Sequence, residues 1–90
     1  MINMKKLWSK TIKNNKTQNS FVLNLNDEFD AQNLYEALKE ICYNLKIETP
    51  IVLNKHINQM EEYGVTKFTS ADFIDFIDFD SLVIEYFEQS

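Results

Sequence analysis

The sequence predicts an α+β fold: a three-stranded, mostly antiparallel sheet, built from a β-hairpin and a C-terminal strand, with two helices packed on one face. Three patterns indicate it, namely alternation on both sides of an N-terminal polar turn, helical periodicity in the middle of the chain, and renewed alternation near its end. Ninety residues correspond to one domain, so we expect residues 1–90 to form a single compact unit. The content of 44% hydrophobic and 13% aromatic residues is sufficient for one core.

The N-terminal segment predicts the hairpin. Met4–Lys13 contains neither glycine nor proline and carries β-favouring side chains, and Ser20–Asn26 alternates apolar and polar residues. The polar residues Asn14–Asn19 between them are typical of a turn. Because neither face of the first strand is fully apolar, we expect it to be an edge strand whose lysines protect it from aggregation.

The clearest periodic signal predicts the first helix. Apolar residues recur at the i, i+3, i+4 and i+7 positions across Ala31–Lys46, and Asp27 or Asp30 is expected to cap its N-terminus. The helix is expected to end before Pro50, because the residue preceding a proline avoids the helical region.

A second helix is predicted over Asn54–Tyr63. Asn54 is a suitable N-cap, and Gly64 provides the residue that ends the helix. We place His56 on the flank of this helix, near the surface. The residues expected to face the core are Leu53, Ile57 and Met60, and Tyr63 or Gly64 is expected to continue this face.

The last part of the chain predicts the third strand. Val65–Thr69 is expected to be only a short extended piece, and Ser70 is expected to cap a single helical turn. Asp80–Glu88 alternates apolar and polar residues and is expected to be the C-terminal strand. Because this strand is acidic and the first strand is basic, we expect the two to be neighbours in the sheet.

Charge is distributed unevenly along a chain whose net charge is −5. Residues 1–20 contain five lysines and no acidic residue, whereas residues 21–90 contain fourteen acidic residues and four lysines. The overall sign argues against a general nucleic-acid-binding protein, which is usually basic, but it leaves room for a local basic patch.

The composition favours a cytoplasmic protein. Cys42 is the only cysteine, so no disulfide within the chain is expected, and a secreted domain of this size would often need one. The sequence shows no apolar signal-peptide region and no run long enough for a membrane span. The absence of arginine and the abundance of asparagine suggest an AT-rich genome.

No catalytic, cofactor-binding or metal-binding residue is predicted. Cys42 and His56 could in principle form a nucleophile and base, but Cys42 lies on the apolar face of the first helix, where cysteine behaves as a small hydrophobic residue. The densest acidic run interleaves with apolar residues and lacks the spacing of a calcium loop, so we interpret it as a solvated face, with a cation or basic-partner site as the alternative. This run consists of Asp72, Asp75, Asp78 and Asp80.

The candidate interaction residues lie on the first strand. They are Lys6, Trp8, Lys10 and Lys13. Lysines of this kind can contact phosphates while an indole stacks on a base. The alternative interpretation is structural: the lysines keep an edge strand soluble and pair with acidic residues of the last strand.

Five segments of the chain carry a combination of residues that is found in a known family. They are Leu7–Lys13, Ala37–Tyr43, Pro50–Ile57, Asp72–Ile74 and Ile77–Glu85. Together they resemble a family of small uncharacterised proteins from clostridia-type anaerobic bacteria. Two positions differ: Val52 stands where the family has tryptophan, and Lys67 stands where it has arginine. The resemblance implies a stand-alone bacterial cytosolic domain and no particular activity.

These observations predict a non-enzymatic interaction or accessory protein with a protein partner. The alternative is a weak nucleic-acid-binding module that uses the lysine-rich first strand. A third hypothesis is an enzyme of unrecognised type. No cofactor and no membrane association are expected. An unpaired first strand would also leave open a homodimer formed by sheet extension.

Overall fold

The computed structural model describes residues 4–25 and 29–89 of the chain. It confirms the α+β class, but the prediction of three strands is wrong, because four antiparallel strands form the sheet in the order β2-β1-β4-β3. The elements are β1 (Met4–Lys13), β2 (Lys16–Leu25), a 3₁₀ turn (Ala31–Asn33), α1 (Leu34–Leu45), α2 (Asn54–Tyr63), β3 (Val65–Thr69), a second 3₁₀ turn (Ser70–Asp72) and β4 (Ser81–Gln89).

The hairpin turn is much tighter than predicted. Only Asn14 and Asn15 connect β1 to β2, and both have positive φ angles, 54° and 66°. A two-residue turn with two left-handed residues matches the twist of the flanking strands, and asparagine adopts this conformation readily. The strand therefore begins at Lys16 rather than at Ser20.

The first strand is central, so the prediction that it lies at an edge is wrong. It pairs with β2 on one side and with β4 on the other, which confirms the expected contact between the basic and the acidic strand. The polar residues on its inner face are accommodated because they form hydrogen bonds. Buried Ser9 donates to the carbonyl oxygen of Phe21 at 2.7 Å, and buried Thr11 donates to Gln18 Oε1 at 3.3 Å.

The additional strand is β3, which pairs with the inner part of β4 and forms one edge of the sheet. Its alternation is clear: Thr66 and Phe68 are buried, whereas Val65 and Lys67 are exposed. Five residues give too short a pattern to distinguish an edge strand from an extended connector.

Helix α1 follows the predicted periodicity. Its buried residues are Leu34, Leu38, Ile41, Cys42 and Leu45. The segment begins with a 3₁₀ turn capped by Asp30, whose carboxylate accepts the N–H of Gln32 at 3.0 Å. The helix ends at Lys46, which adopts a left-handed conformation with φ 60°. The alternative cap Asp27 lies outside the described residues.

Helix α2 has the predicted span, but its cap and its inner face differ from the prediction. Leu53 is the N-cap residue, and it is 47% exposed instead of facing the core. His56 and Met60 are the buried residues of the helix, whereas Tyr63 is 72% exposed and does not face the core. Gly64 ends it in a left-handed conformation, and its N–H donates to the carbonyl oxygen of Met60.

The core lies between the two helices and one face of the sheet. Leu7, Leu82, Ile84 and Phe68 from three strands are fully buried and form one cluster with the inner face of α1. Successive strand residues point to opposite faces, so the alternate residues of all four strands form a second face. In the described part of the chain, no helix packs on that second face.

Candidate interaction surface on the open face of the sheet

We call the side of the sheet opposite the helices the open face. The strand register places its side chains in rows that cross the sheet from β2 to β3. The residues of the open face are Lys6, Trp8, Lys10 and Ile12 of β1, Ser20, Val22 and Asn24 of β2, Val83, Glu85 and Phe87 of β4, and Val65 and Lys67 of β3.

The open face exposes large apolar side chains on β1, β2 and β4. Trp8 is 46% exposed, Phe87 is 48% exposed, and Val22 is 42% exposed. Together with Lys6 they line a shallow depression of about 270 Å³. Exposed apolar residues that form a contiguous patch, rather than being scattered, are typical of a binding surface.

The open face is also positively charged. It carries Lys6, Lys10 and Lys67, and Glu85 is its only acidic residue among those that the structure describes. The Lys10 ammonium nitrogen lies 5.3 Å from the centre of the Trp8 ring, which is a cation–π distance. A surface with an excess of positive charge is therefore part of a chain whose net charge is −5.

The structure places three of the four predicted interaction residues on this surface. Lys6, Trp8 and Lys10 share the open face. Lys13 lies at the end of β1, opposite Lys16, and the alternation of the strand places it on the other side of the sheet. Phe87 and Lys67 join the surface from other strands. The alternation in the last strand indicated the parity of Phe87, but only the strand register shows that it lies opposite Lys6.

Cys42 is not available for nucleophilic chemistry in the folded chain. Its side chain is buried on the inner face of α1 with 1% exposure. Burial raises the pKa of the Cys42 thiol to about 11, and a hydrogen bond with Thr49 only partly opposes this effect. The thiol is consequently protonated at neutral pH, and protonated thiols are poor nucleophiles.

His56 is fully buried, so its predicted position near the surface is wrong. Its Nδ1 accepts the N–H of Leu53 at 3.0 Å, and its ring stacks on Phe68 with a centroid distance of 4.1 Å. Its Nε2 lies 3.6 Å from Asp72 Oδ2, close enough for electrostatic attraction but too far for a hydrogen bond. Burial lowers the pKa of His56, although the nearby Asp72 carboxylate opposes the shift.

The acidic run has several separate structural roles. Asp72 Oδ2 accepts the N–H of Thr69 at 2.9 Å, and Asp80 Oδ2 accepts the N–H of Asn14 at 2.9 Å. Asp75 and Asp78 are exposed. Within residues 4–25 and 29–89, no group of three or more His, Cys, Asp or Glu residues is arranged to hold a metal ion.

A second exposed apolar segment lies within the same run. Ile74 is 80% exposed and Phe76 is 93% exposed. The Glu48 carboxylate holds the backbone there by accepting the N–H groups of Ile74 at 3.1 Å and Asp75 at 3.3 Å. In contrast to the open face, this segment combines its apolar side chains with acidic ones.

The fold and its surfaces define a four-stranded antiparallel sheet with one open, basic and apolar face. None of the protein-family models, curated proteins or solved structures compared with the chain matches it. The resemblance to a clostridial family therefore stays a prediction from the sequence. No helix among the described residues is both long enough and apolar enough to cross a membrane.

Proposed function

We propose that this chain is a non-enzymatic binding protein whose open face receives an anionic partner. The observation that carries the proposal is the grouping of three lysines with exposed Trp8 and Phe87 on one side of the sheet. The apolar side chains supply contact area that is released from water on binding, and the lysines select the sign of the partner.

The overall negative charge is compatible with an anionic partner because charge acts locally at physiological salt. Exposed acidic residues lie on the helices and their connections, on the other side of the sheet, as at Glu36, Glu40, Glu61 and Glu62. Screening reduces the effect of exposed charges beyond a Debye length of about 8 Å at physiological ionic strength. An anion close to the open face therefore interacts mainly with the lysines of that face.

The positions of the remaining reactive groups support a binding role rather than a chemical one. Cys42 and His56 are both buried, and neither lines the depression on the open face. His56 instead holds the first turn of α2 through Leu53. The exposed lysines and aromatic rings of the open face thus lie away from both side chains.

A titration with heparin, a flexible polyanion, tests this proposal. Trp8 is the only tryptophan of the chain, so its fluorescence reports directly on the open face. We expect a saturable change in Trp8 emission at low ionic strength, which the double substitution Lys6→Glu and Lys10→Glu abolishes. The binding should weaken as salt is added, because exposed charges are screened.

The matched control reverses two lysines on the helices, Lys39→Glu and Lys55→Glu. Both are exposed and lie in α1 and α2, so this variant has the same net charge as the open-face variant. It should retain most of the heparin binding. Equal losses in both variants would show that net charge, and not the open face, governs the interaction.

A further inference from the structure

We propose that the anionic partner of the open face is a single-stranded nucleic acid. This inference rests on the proposed binding function and adds the chemical class of the ligand. It follows from the placement of the two exposed aromatic rings, from the lysines beside them, and from the single carboxylate of the face.

The two aromatic rings lie on the two central strands. Lys6 pairs with Phe87 and Trp8 pairs with Glu85, so Trp8 and Phe87 occupy diagonal positions on neighbouring strands. Diagonal neighbours of an antiparallel pair are about 7–8 Å apart, which allows two bases of one strand to stack on the two rings. A four-stranded sheet with exposed aromatic residues on its central strands is an established platform for unpaired bases.

A lysine accompanies each ring. Lys6 lies directly opposite Phe87, and the Lys10 ammonium lies 5.3 Å from the Trp8 ring. Lys67 lies two strands away from Lys10, on the other side of Val83. Positive charges next to stacking rings are arranged to contact the phosphates on either side of a stacked base.

Glu85 distinguishes a nucleic acid from an acidic polypeptide. It lies near the middle of the face, between Trp8 on β1 and Val65 on β3. A carboxylate there can accept hydrogen bonds from the amino groups of bases, such as N4 of cytosine. The side chains of an acidic peptide carry no such donor, so they would meet only repulsion at Glu85, whereas a nucleic acid can place a base amino group there and keep its phosphates near the lysines.

The shape of the face selects a single strand. No helix on this side of the described sheet could enter a major groove, and the rings can stack only on bases that are not already paired and stacked. A second copy of the chain is also disfavoured as the occupant. Each copy would contribute three lysines, Lys6, Lys10 and Lys67, and only one glutamate, Glu85. Two open faces that met would therefore both be positively charged and would repel each other.

The test measures binding of a fluorescein-labelled single-stranded oligonucleotide of about ten nucleotides, within the usual site size of such proteins. The same sequence as a duplex, and poly-L-glutamate, are measured in parallel. We expect the single strand to bind and to quench Trp8. With three lysines on phosphates, log K should fall against log salt with a slope of about −2.

Three substitutions test the geometry by anisotropy of the labelled strand. Trp8→Ala and Phe87→Ala should each weaken binding by about 5- to 150-fold, the range measured for removal of one stacking partner. Lys10→Ala should reduce the magnitude of the salt slope by about 0.7. Tyr43→Ala, on the outer surface of α1 and 82% exposed, is the matched aromatic control and should bind normally.

Each outcome of these measurements either supports or overturns the inference. Tight binding of the single strand, with losses confined to the open-face variants, supports the inference. Equal or tighter binding of the duplex overturns it, and so does binding of poly-L-glutamate without the single strand, which leaves the proposed function standing. Failure of all three ligands and of heparin overturns both. Should Trp8→Ala not fold by circular dichroism, Phe87→Ala and the Lys10→Ala salt slope provide the same decision.

Discussion

The imidazole of His56 connects two short structural elements in the interior. Because Nδ1 accepts the N–H of Leu53, the neutral ring carries its proton on Nε2, which faces Asp72. Asp72 in turn accepts the N–H of Thr69 at the start of the second 3₁₀ turn. The start of α2 and the end of β3 are thus held by one buried pair, and a second proton on the ring would disrupt its bond to Leu53.

Acidification should therefore destabilise the protein through His56. Its pKa in the folded chain is lowered from 6.5, so the unfolded chain binds the proton more readily. The contribution to the free energy of unfolding is complete above about pH 6.5. It decreases as the pH falls toward the folded-state pKa, by up to about 1.4 kcal/mol per pH unit. Urea unfolding followed by circular dichroism between about pH 7.5 and pH 5.5 measures this slope.

The variant His56→Gln separates this effect from other titrating groups. It should be less stable than the wild type at neutral pH, because glutamine can still accept the N–H of Leu53 but cannot replace the imidazole ring that stacks on Phe68 in the core. Its stability should depend less on pH over the same interval. A variant whose slope equals that of the wild type would show that other groups are responsible.

Cys42 should react only when the core opens. Its 1% exposure and its raised pKa of about 11 both suppress reaction with a disulfide reagent at neutral pH. We expect no modification of the native protein on the time scale of seconds and complete modification in urea. Rapid reaction of the native thiol with the reagent would contradict the buried position.

At the scale of residues, the sequence predicted part of the candidate surface. Strand periodicity alone placed Lys6, Trp8 and Lys10 on one side of β1, because successive side chains alternate. Phe87 could not be added, since its position depends on a register between strands about eighty residues apart. His56 was misplaced because a polar ring inside a core is recognisable only from the groups that satisfy it.

Both helices are followed by a residue in the left-handed backbone conformation. Glycine adopts this conformation easily, whereas lysine does not. Lys46 after α1 has φ 60°, and Gly64 after α2 has φ 71°. A side chain in this left-handed region is strained by about 1–2 kcal/mol, whereas glycine is not. The Cβ of an alanine at Gly64 would lie 3.9 Å from Tyr86, which is an ordinary contact. A loss of stability in Gly64→Ala would therefore come from backbone strain and not from a steric clash.

Exchanging the residues at these ends should shift stability in opposite directions. Lys46→Gly should stabilise by about 0.5–1 kcal/mol, after allowance for the greater freedom of glycine in the unfolded chain. Gly64→Ala should destabilise by about 1 kcal/mol. Urea unfolding measures both values.

The control for the first change is Lys39→Gly, inside α1, which should destabilise by about 1 kcal/mol. It makes the same chemical substitution at a residue with ordinary helical geometry. A Lys46→Gly variant that loses as much stability as Lys39→Gly would rule out the left-handed conformation as the source of strain.

At the scale of elements, hydrophobic periodicity predicted secondary structure reliably only in segments long enough to repeat the pattern several times. The repeat across α1 spans three turns, and it predicted the inward face apart from Tyr35, which belongs to the same repeat but is 49% exposed. The five residues of β3 were too few to identify it as a strand. β1 was assigned to an edge because Ser9 and Thr11 make its inner face partly polar, although hydrogen bonds satisfy both hydroxyl groups.

The whole molecule separates charge between its two sides. The open face carries an excess of lysine, whereas the helices and the segment around Ile74 and Phe76 carry exposed acidic side chains. In the sequence, this separation was visible only as a basic N-terminal segment, residues 1–20, followed by an acidic remainder of the chain. Three-dimensional placement was needed because Lys67, far along the chain, belongs to the basic side.

The order of the strands also changes the expectation for self-association. β1 is paired on both sides, so sheet extension through it, which the sequence left open, does not apply. The edges are β2 and β3. Lys16 and Lys67 are exposed on these edge strands, and charged residues there discourage pairing between copies.

The sheet order has a consequence for how the chain folds as it emerges from the ribosome. β4 lies between β1 and β3, yet it is synthesised after both of them. Until residues 81–89 appear, β1 has an unoccupied flank and β3 has no strand to pair with. The hairpin and α1 can form early, but the centre of the sheet closes only with contacts of high sequence separation, which form slowly. Nascent chains of this protein therefore expose an unpaired strand edge, which favours aggregation, until residues 81–89 have been synthesised.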